Sequence, residues 1–236
     1  MNHLLMVKQY LQDRTRFVGV QPTGFPFITI SRQAAAGGHL LAHVITTDMM
    51  KCSGDLFRGW HVFDREICEL VALDPSLSTS MEQLVSERYH SEFEEFMDGL
   101  FTGRSQQYMT LKKTFHIVRI LALIGKVIIV GRAGNCVTRS LGTGVHVRLV
   151  APRTTRVRWM MKKLRLDKQA AEKTIDKQDA EKRRMVRTFF DTDIDSPVCY
   201  DATFNTGTMQ MHEVSQSLIE IIKRRFNSDG TRKEQS

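Results

Sequence analysis

Positions 31–39 read Ser-Arg-Gln-Ala-Ala-Ala-Gly-Gly-His, between a short apolar run and a helix-like pattern that continues to Ile45. Small residues in such a turn let successive backbone N–H groups close on an anion. The start of the following helix adds a favourable field, and phosphate is the anion this suits. The complete phosphate-loop pattern has an early glycine, then Gly-Lys followed by Ser or Thr. With Gly37 taken as the glycine before the lysine, the early glycine falls on Arg32 and the lysine on Gly38. His39, Leu40 and Leu41 bring neither an ammonium group nor a hydroxyl for magnesium. Gly37 and Gly38 supply backbone freedom, whereas Ala34, Ala35 and Ala36 are small but reach positive φ only at a cost. Taken alone, the run reads equally as a small-residue turn between a strand and a helix.

Phosphoryl transfer needs in-line positioning, cations around the transferred group and exclusion of water. Arginine suits it because a planar guanidinium can hold two phosphate oxygens. Arg132 directly follows the apolar run Val-Ile-Ile-Val-Gly, and open α/β sheets bind ligands at the carboxyl ends of their strands. Gly134 and Asn135 lie in the same loop; a plain surface arginine is the rival reading. Arg153, Arg156 and Arg158 follow a second apolar run and the turn Ala151-Pro152, and Arg183, Arg184 and Arg187 lie on a later charged segment. On helices, positions 153 and 156 share a face, as do 183 and 187. A solvated basic face is the competing account of each. Asp64 precedes Arg-Glu-Ile-Cys and fits a helix N-cap, while Asp179 fits an intrahelical pair with Arg183. His39, His43 and His146 lack zinc-like spacing, and no nucleophile, base and orienting acid recur together.

These residues need a scaffold. At 236 residues the chain supports one sizeable core, and 42% hydrophobic with 25% charged residues is an ordinary globular balance. Cys52, Cys68, Cys136 and Cys199 are widely separated, so reduced thiols in a cytoplasmic protein are expected. The first residues lack a secretory pattern. The most apolar stretch, around residues 117–131, is interrupted by Arg119 and Lys126 and is too short to span a membrane. The net charge of +8 favours polyanion partners and leaves nucleic acid open.

Strands are expected at 27–31, 62–63, 127–130, 145–150 and 199–204. Helices are expected near 1–20, 39–50, 65–73, 79–100, 106–123, 153–164, 168–190 and 211–226. Gln21 to Pro26 reads as a linker, Thr102 to Ser105 as a break, and 227–236 as a frayed tail. Strands alternating with helices, several of them uniformly apolar, predict an α/β fold with a mostly parallel sheet flanked by helices.

The stretches Ile-Thr-Ile-Ser-Arg-Gln-Ala-Ala-Ala-Gly-Gly at 28–38, Phe-Asp-Arg-Glu-Ile-Cys-Glu-Leu-Val-Ala at 63–72 and Val-Gly-Arg-Ala-Gly-Asn-Cys-Val at 130–137 carry a resemblance. So do 146–157, 168–190 and 200–209. In order, they resemble the cytidylate kinase-like family of P-loop nucleoside monophosphate kinase relatives, over about 180 residues. Family members resemble Ile-Ser-Arg followed by Gly-Ser-Gly-Gly, which falls on Ala35, Ala36, Gly37 and Gly38. The missing lysine is thereby a family trait, and the alanines are this chain's departure.

The resemblance implies a P-loop kinase-like domain at 27–226, a helical arginine-bearing lid at 153–195 and an N-terminal extension at 1–26. It implies ATP with Mg2+ as cofactors, held at Ser31, Ala34, Ala35, Ala36, Gly37, Gly38 and His39. Asp64 and Arg132 would meet a nucleotide or small phosphate-bearing substrate, and Arg156, Arg183 and Arg187 would gather charge during transfer. It leaves Asn205 and Thr206 near an adenine, Asp179 as a partner of arginine or magnesium, and a homo-oligomer open. A catalytically impaired nucleotide-binding regulator is the alternative.

Overall fold

Five strands form one parallel sheet: β1 (Phe27–Arg32), β2 (His61–Phe63), β3 (Val127–Val130), β4 (Gly144–Val150) and β5 (Ala202–Asn205), in the order β2-β3-β1-β4-β5. The structure is a computed structural model that describes residues 3–15, 25–85, 87–98, 106–227 and 232–233. The expected linker at 21–24, the break at 102–105 and tail positions 228–231 and 234–236 lie outside the described residues. Strand order reverses beside β1, with β2 and β3 on one side and β4 and β5 on the other. Open α/β sheets bind ligands beyond the strand ends at such a point.

The connections are helical: α1 (His3–Thr15), α2 (Gly38–Met49), α3 (Arg65–Leu73), α4 (Pro75–Glu82), α5 (Glu87–Asp98), α6 (Gln106–Ile124), α7 (Gly134–Val137), α8 (Arg153–Leu164), α9 (Lys168–Phe190) and α10 (Met211–Arg225). The sheet is buried on both faces: β3 is apolar at every position, and even the polar Thr29 and Ser31 of β1 and Arg148 of β4 are buried. Phe27, Val127 and Ile129 face one cluster with α1, α3 and α6. Ile28, Ile30, Ile128 and Val130 face the other, with α2 and α10. A third, smaller cluster joins Val157 and Met160 of α8, Ala171 and Ile175 of α9, and Ala34 of the loop after β1.

Three expectations change. One helix over 79–100 becomes α4 and α5, with Leu84 and Val85 N–H closing turns on Met81 and Glu82 O after α4, which itself starts earlier because Asp74 caps it, accepting N–H bonds from Ser76 (2.9 Å) and Leu77 (3.1 Å). Pro75 suits the first helical turn, where no backbone donor is needed. The N-terminal segment is no appendage, since Val7 and Tyr10 of α1 are fully buried and Arg14 donates to Gly59 O at 2.7 Å. Within the expected tail, Arg232 bridges Phe226 and Lys233 N–H donates to Arg225 O at 2.8 Å. Among the described residues no helix is long and apolar enough to cross a membrane.

Candidate functional site

The loop between β1 and α2 is built by its own backbone and by the neighbouring strand ends. Gln33 N–H donates to Leu149 O at 3.0 Å, and its side-chain oxygen accepts from Ala151 N–H at 3.1 Å, which fixes the exit of β1 to that of β4. Ala36 N–H closes a turn on Gln33 O at 3.2 Å. That turn requires left-handed backbone at Ala35 (φ 61), and Gly37, the N-cap of α2, is left-handed too (φ 86). Gly37 is further constrained because a methyl there would collide with Met211. Thr206 O–H donates to Ala36 O at 3.0 Å, pinning the loop to the segment after β5.

A cavity of about 630 Å³ opens on this loop. Residues 34–39 form its floor, with Trp159 and Met160 of α8, Lys182 of α9, and Met209 and Met211 around it. Trp159 is half exposed there. That volume suits a drug- or nucleotide-sized ligand. Thr206 lines the cavity, whereas the Asn205 side chain turns to its own loop and accepts from Gly207 N–H at 3.0 Å.

The cavity meets a narrow crevice at the carboxyl ends of β1 and β3, lined by Arg32, Gly131, Arg132, Asn135, Lys182 and Val186 among others. Arg32 crosses it against Gly38 and Gly131: a methyl at Gly131 would overlap its guanidinium. Among the described residues no side chain pairs with that guanidinium. Burial lowers its pKa to about 10, Arg132 adds to the effect, and Asp64 and Asp179 oppose it, so it stays cationic at neutral pH. Arg132 donates to Glu69 Oε1 at 2.9 Å, and its Nε is buried without a partner. Burial lowers its pKa too, with Glu69 opposing. Residues 131–133 all have left-handed backbone (φ 87, 54 and 49), a strained turn of the kind that concentrates at functional sites.

Asp64 caps α3, accepting from Ile67 N–H at 3.1 Å, and also pairs with His39 Nε2 at 3.3 Å. The His39 bond and the capping amides hold its carboxyl at about 2 against the opposing effect of burial. It is therefore an anion at any physiological pH, linking the loop to α3.

The arginines divide. Arg156 is buried and points inward: Nε donates to Ala151 O at 3.1 Å and Nη1 to Asp179 Oδ2 at 2.7 Å. Asp179 does not take the expected intrahelical pair with Arg183. Its other oxygen accepts from Ala34 N–H at 2.7 Å and from Lys182 Nζ at 3.1 Å. Arg183 and Arg187 stand on the exposed face of α9, Arg187 against Asp191 at 3.8 Å. Arg153 forms a surface pair with Asp176. Ser31 lines the crevice but is already bonded, accepting from Arg148 Nη1 at 2.9 Å; Arg148 also pairs with Asp195.

Arg32, Lys182 and Trp159 were not singled out from the sequence as site residues. Arg32 carried a signal, since it occupies the place of the early glycine. Lys182 carried another: Ala171, Ile175 and Val186 set the buried stripe of α9, and 179 and 182 fall on that stripe.

The architecture is a P-loop kinase-like α/β fold, with a strand-end crevice and an adjoining cavity. The chain belongs to the cytidylate kinase-like family, whose match covers residues 27–208. No curated protein matches the sequence. Among solved structures it is similar to an uncharacterized protein from Eubacterium ventriosum ATCC 27560, at 18% identity and a TM-score of 0.66, covering 85% of this chain and 99% of that one. Shikimate kinase from Bacteroides thetaiotaomicron aligns at 14% identity and a TM-score of 0.47, covering 84% of this chain and 98% of that one. Membership places the chain in the P-loop nucleotide-kinase-like superfamily.

Proposed function

We propose that the protein is an ATP-dependent phosphotransferase acting on a nucleoside monophosphate or a similar small phosphate acceptor. One observation carries the reading: Arg32, Arg132 and Lys182 border a crevice that adjoins a cavity large enough for a nucleotide, and the buried Arg156 reaches the loop through Asp179. Family membership supports it. The donor base enters the apolar part of the cavity beside Trp159, Met209 and Met211, and its phosphates lie along the loop. The acceptor phosphate lies between Arg32 and Arg132, and the α8–α9 hairpin closes as the lid. Closure surrounds the transferred group with fixed cations and removes water, which is most of what this chemistry asks of a protein.

Magnesium fits the site in a limited way. Among the described residues no three His, Cys, Asp or Glu side chains group to hold a metal. Magnesium held largely by substrate phosphates needs only one or two carboxylates. Asp64 is the candidate, and the ion would supply charge neutralisation for the donor phosphates. A catalytically impaired nucleotide binder is the second reading, favoured by Ala35 holding a left-handed conformation in the loop. Calorimetric titration with ATP and nucleoside monophosphates in magnesium, followed by a turnover assay, separates them. Diphosphate production supports the enzyme. Binding without turnover supports the impaired binder, and no binding at millimolar ligand sinks both.

A further inference from the structure

Resting on the reading of the loop as a phosphate site, we propose that Lys182 is its phosphate-gripping ammonium, delivered from α9 because the loop has none. Asp179, one turn earlier, occupies that phosphate seat. The seat is already built. One Asp179 oxygen receives the Ala34 amide at 2.7 Å and Lys182 Nζ at 3.1 Å, and the other receives Arg156 Nη1 at 2.7 Å. A backbone amide, an ammonium and a guanidinium thus converge on one anion, which is the donor set a phosphoryl group takes. Both Asp179 and Arg156 have side chains only about a tenth exposed (12% and 10%), so the arrangement is shielded from competing water.

The position of Lys182 is specific. It lines both the cavity on the loop and the crevice beside Arg32, so it borders donor and acceptor space together. Gly38 holds the place in the loop where a lysine would otherwise stand, and the α9 stripe of Ala171, Ile175 and Val186 turns Lys182 inward. A phosphate bound at the Ala34 amide meets the Asp179 carboxylate on the same donor, and two anions do not share it. The carboxylate therefore yields its three donors to the phosphate, and Lys182 and Arg156 transfer with them. Asp179 ties α9 to the loop and lowers affinity for any polyphosphate it competes with.

The two residues consequently predict opposite signs. Replacing Lys182 with Met should weaken binding of ATP and of tripolyphosphate roughly tenfold, the scale of one lost charge-assisted bond, and Lys182→Arg should restore most of it. Asp179→Asn keeps the shape but removes the competing charge, so both ligands should bind several-fold tighter, on the order of a single charge interaction at a partly buried site. Lys177→Met makes the same charge change on the exposed face of α9 and should shift affinity by less than about twofold. The test is calorimetry of the full chain with each ligand, with thermal melts to confirm folding. A purely structural Asp179–Lys182 pair would weaken binding in both variants, and that result overturns the inference. ATP binding unaffected by Lys182→Met also overturns it while leaving the nucleotide reading intact. Tripolyphosphate binding with the opposite shifts, but no ATP binding, upholds the seat and sinks the nucleotide reading. Failure of both ligands to bind either wild type or Asp179→Asn overturns both.

Discussion

Ala35 sits at φ 61, where a family-like glycine would be unstrained and an L-residue carries a penalty of about 1–2 kcal/mol. The reverse entropic cost of adding a glycine is about 0.4–1 kcal/mol. Ala35→Gly should therefore stabilise the protein by about 0.5–1 kcal/mol, read by urea denaturation at an unchanged m-value. A loss of stability would mean that the Ala35 methyl, packed at the edge of the third cluster, outweighs the backbone strain. This strain was half legible in the sequence. Three alanines before Gly-Gly announce a turn in which positive φ is expensive, but which alanine bears it follows only from the bond between Ala36 N–H and Gln33 O. The Asp64 cap was fully legible, because capping is local. Its bond to His39 was not, because that joins residues brought together by the sheet.

The elements that carry the site are strand ends and one helix face. The turn 131–133 leaves β3 in left-handed backbone and gives Arg32 its room. Gly131→Ala adds backbone strain of about 1–2 kcal/mol and also forces the Arg32 guanidinium out of the crevice. Gly54→Ala is the control for strain without contact, since Gly54 has φ 99 and nothing within 4 Å of an added methyl. Both variants should lose stability, but only Gly131→Ala should raise the acceptor KM, by roughly tenfold if Arg32 makes a charge-assisted phosphate contact. Equal acceptor kinetics in the two variants would remove Arg32 from the acceptor site. Strand β3 was readable as a uniformly apolar run and β1 as a short strand entering a small-residue turn, and Arg132 was readable from its place after β3. On α9 the helix is legible in the sequence, and its inward face is set by the buried stripe. Arg183 and Arg187 share a face, yet Ala171, Ile175 and Val186 put that face outward and turn Asp179 and Lys182 inward.

At the scale of the whole molecule, the sheet and its two faces follow from patterning, whereas the docking of α1 and the grip of α9 on the loop depend on contacts between distant residues, such as Ala34 with Asp179. The same distribution of contacts sets a mechanical division. The end of α9 is rooted in the main core through Val186, with Met185, Phe189 and Phe190 packed against it. The rest of α9 and all of α8 share only the small third cluster, to which the body contributes Ala34 and, at its margin, Ala35. A unit with so few buried apolar contacts opens at lower free energy than the sheet that carries it. Hydrogen exchange should therefore show amides of 153–182 exchanging ahead of those in β1, β3 and β4. Mutation tests the same division: Ile175 and Ile129 are both fully buried, and truncating either to alanine in one cooperative core costs about 2–5 kcal/mol. Ile129→Ala should show that full loss in global denaturation. Ile175→Ala should show less, because its effect is capped at the free energy that already separates docked from undocked hairpin. Its residues 153–182 should exchange fast while the sheet stays protected. Equal global losses from the two variants, with uniform protection, would mean that the hairpin and sheet unfold as one body and that no separate lid exists.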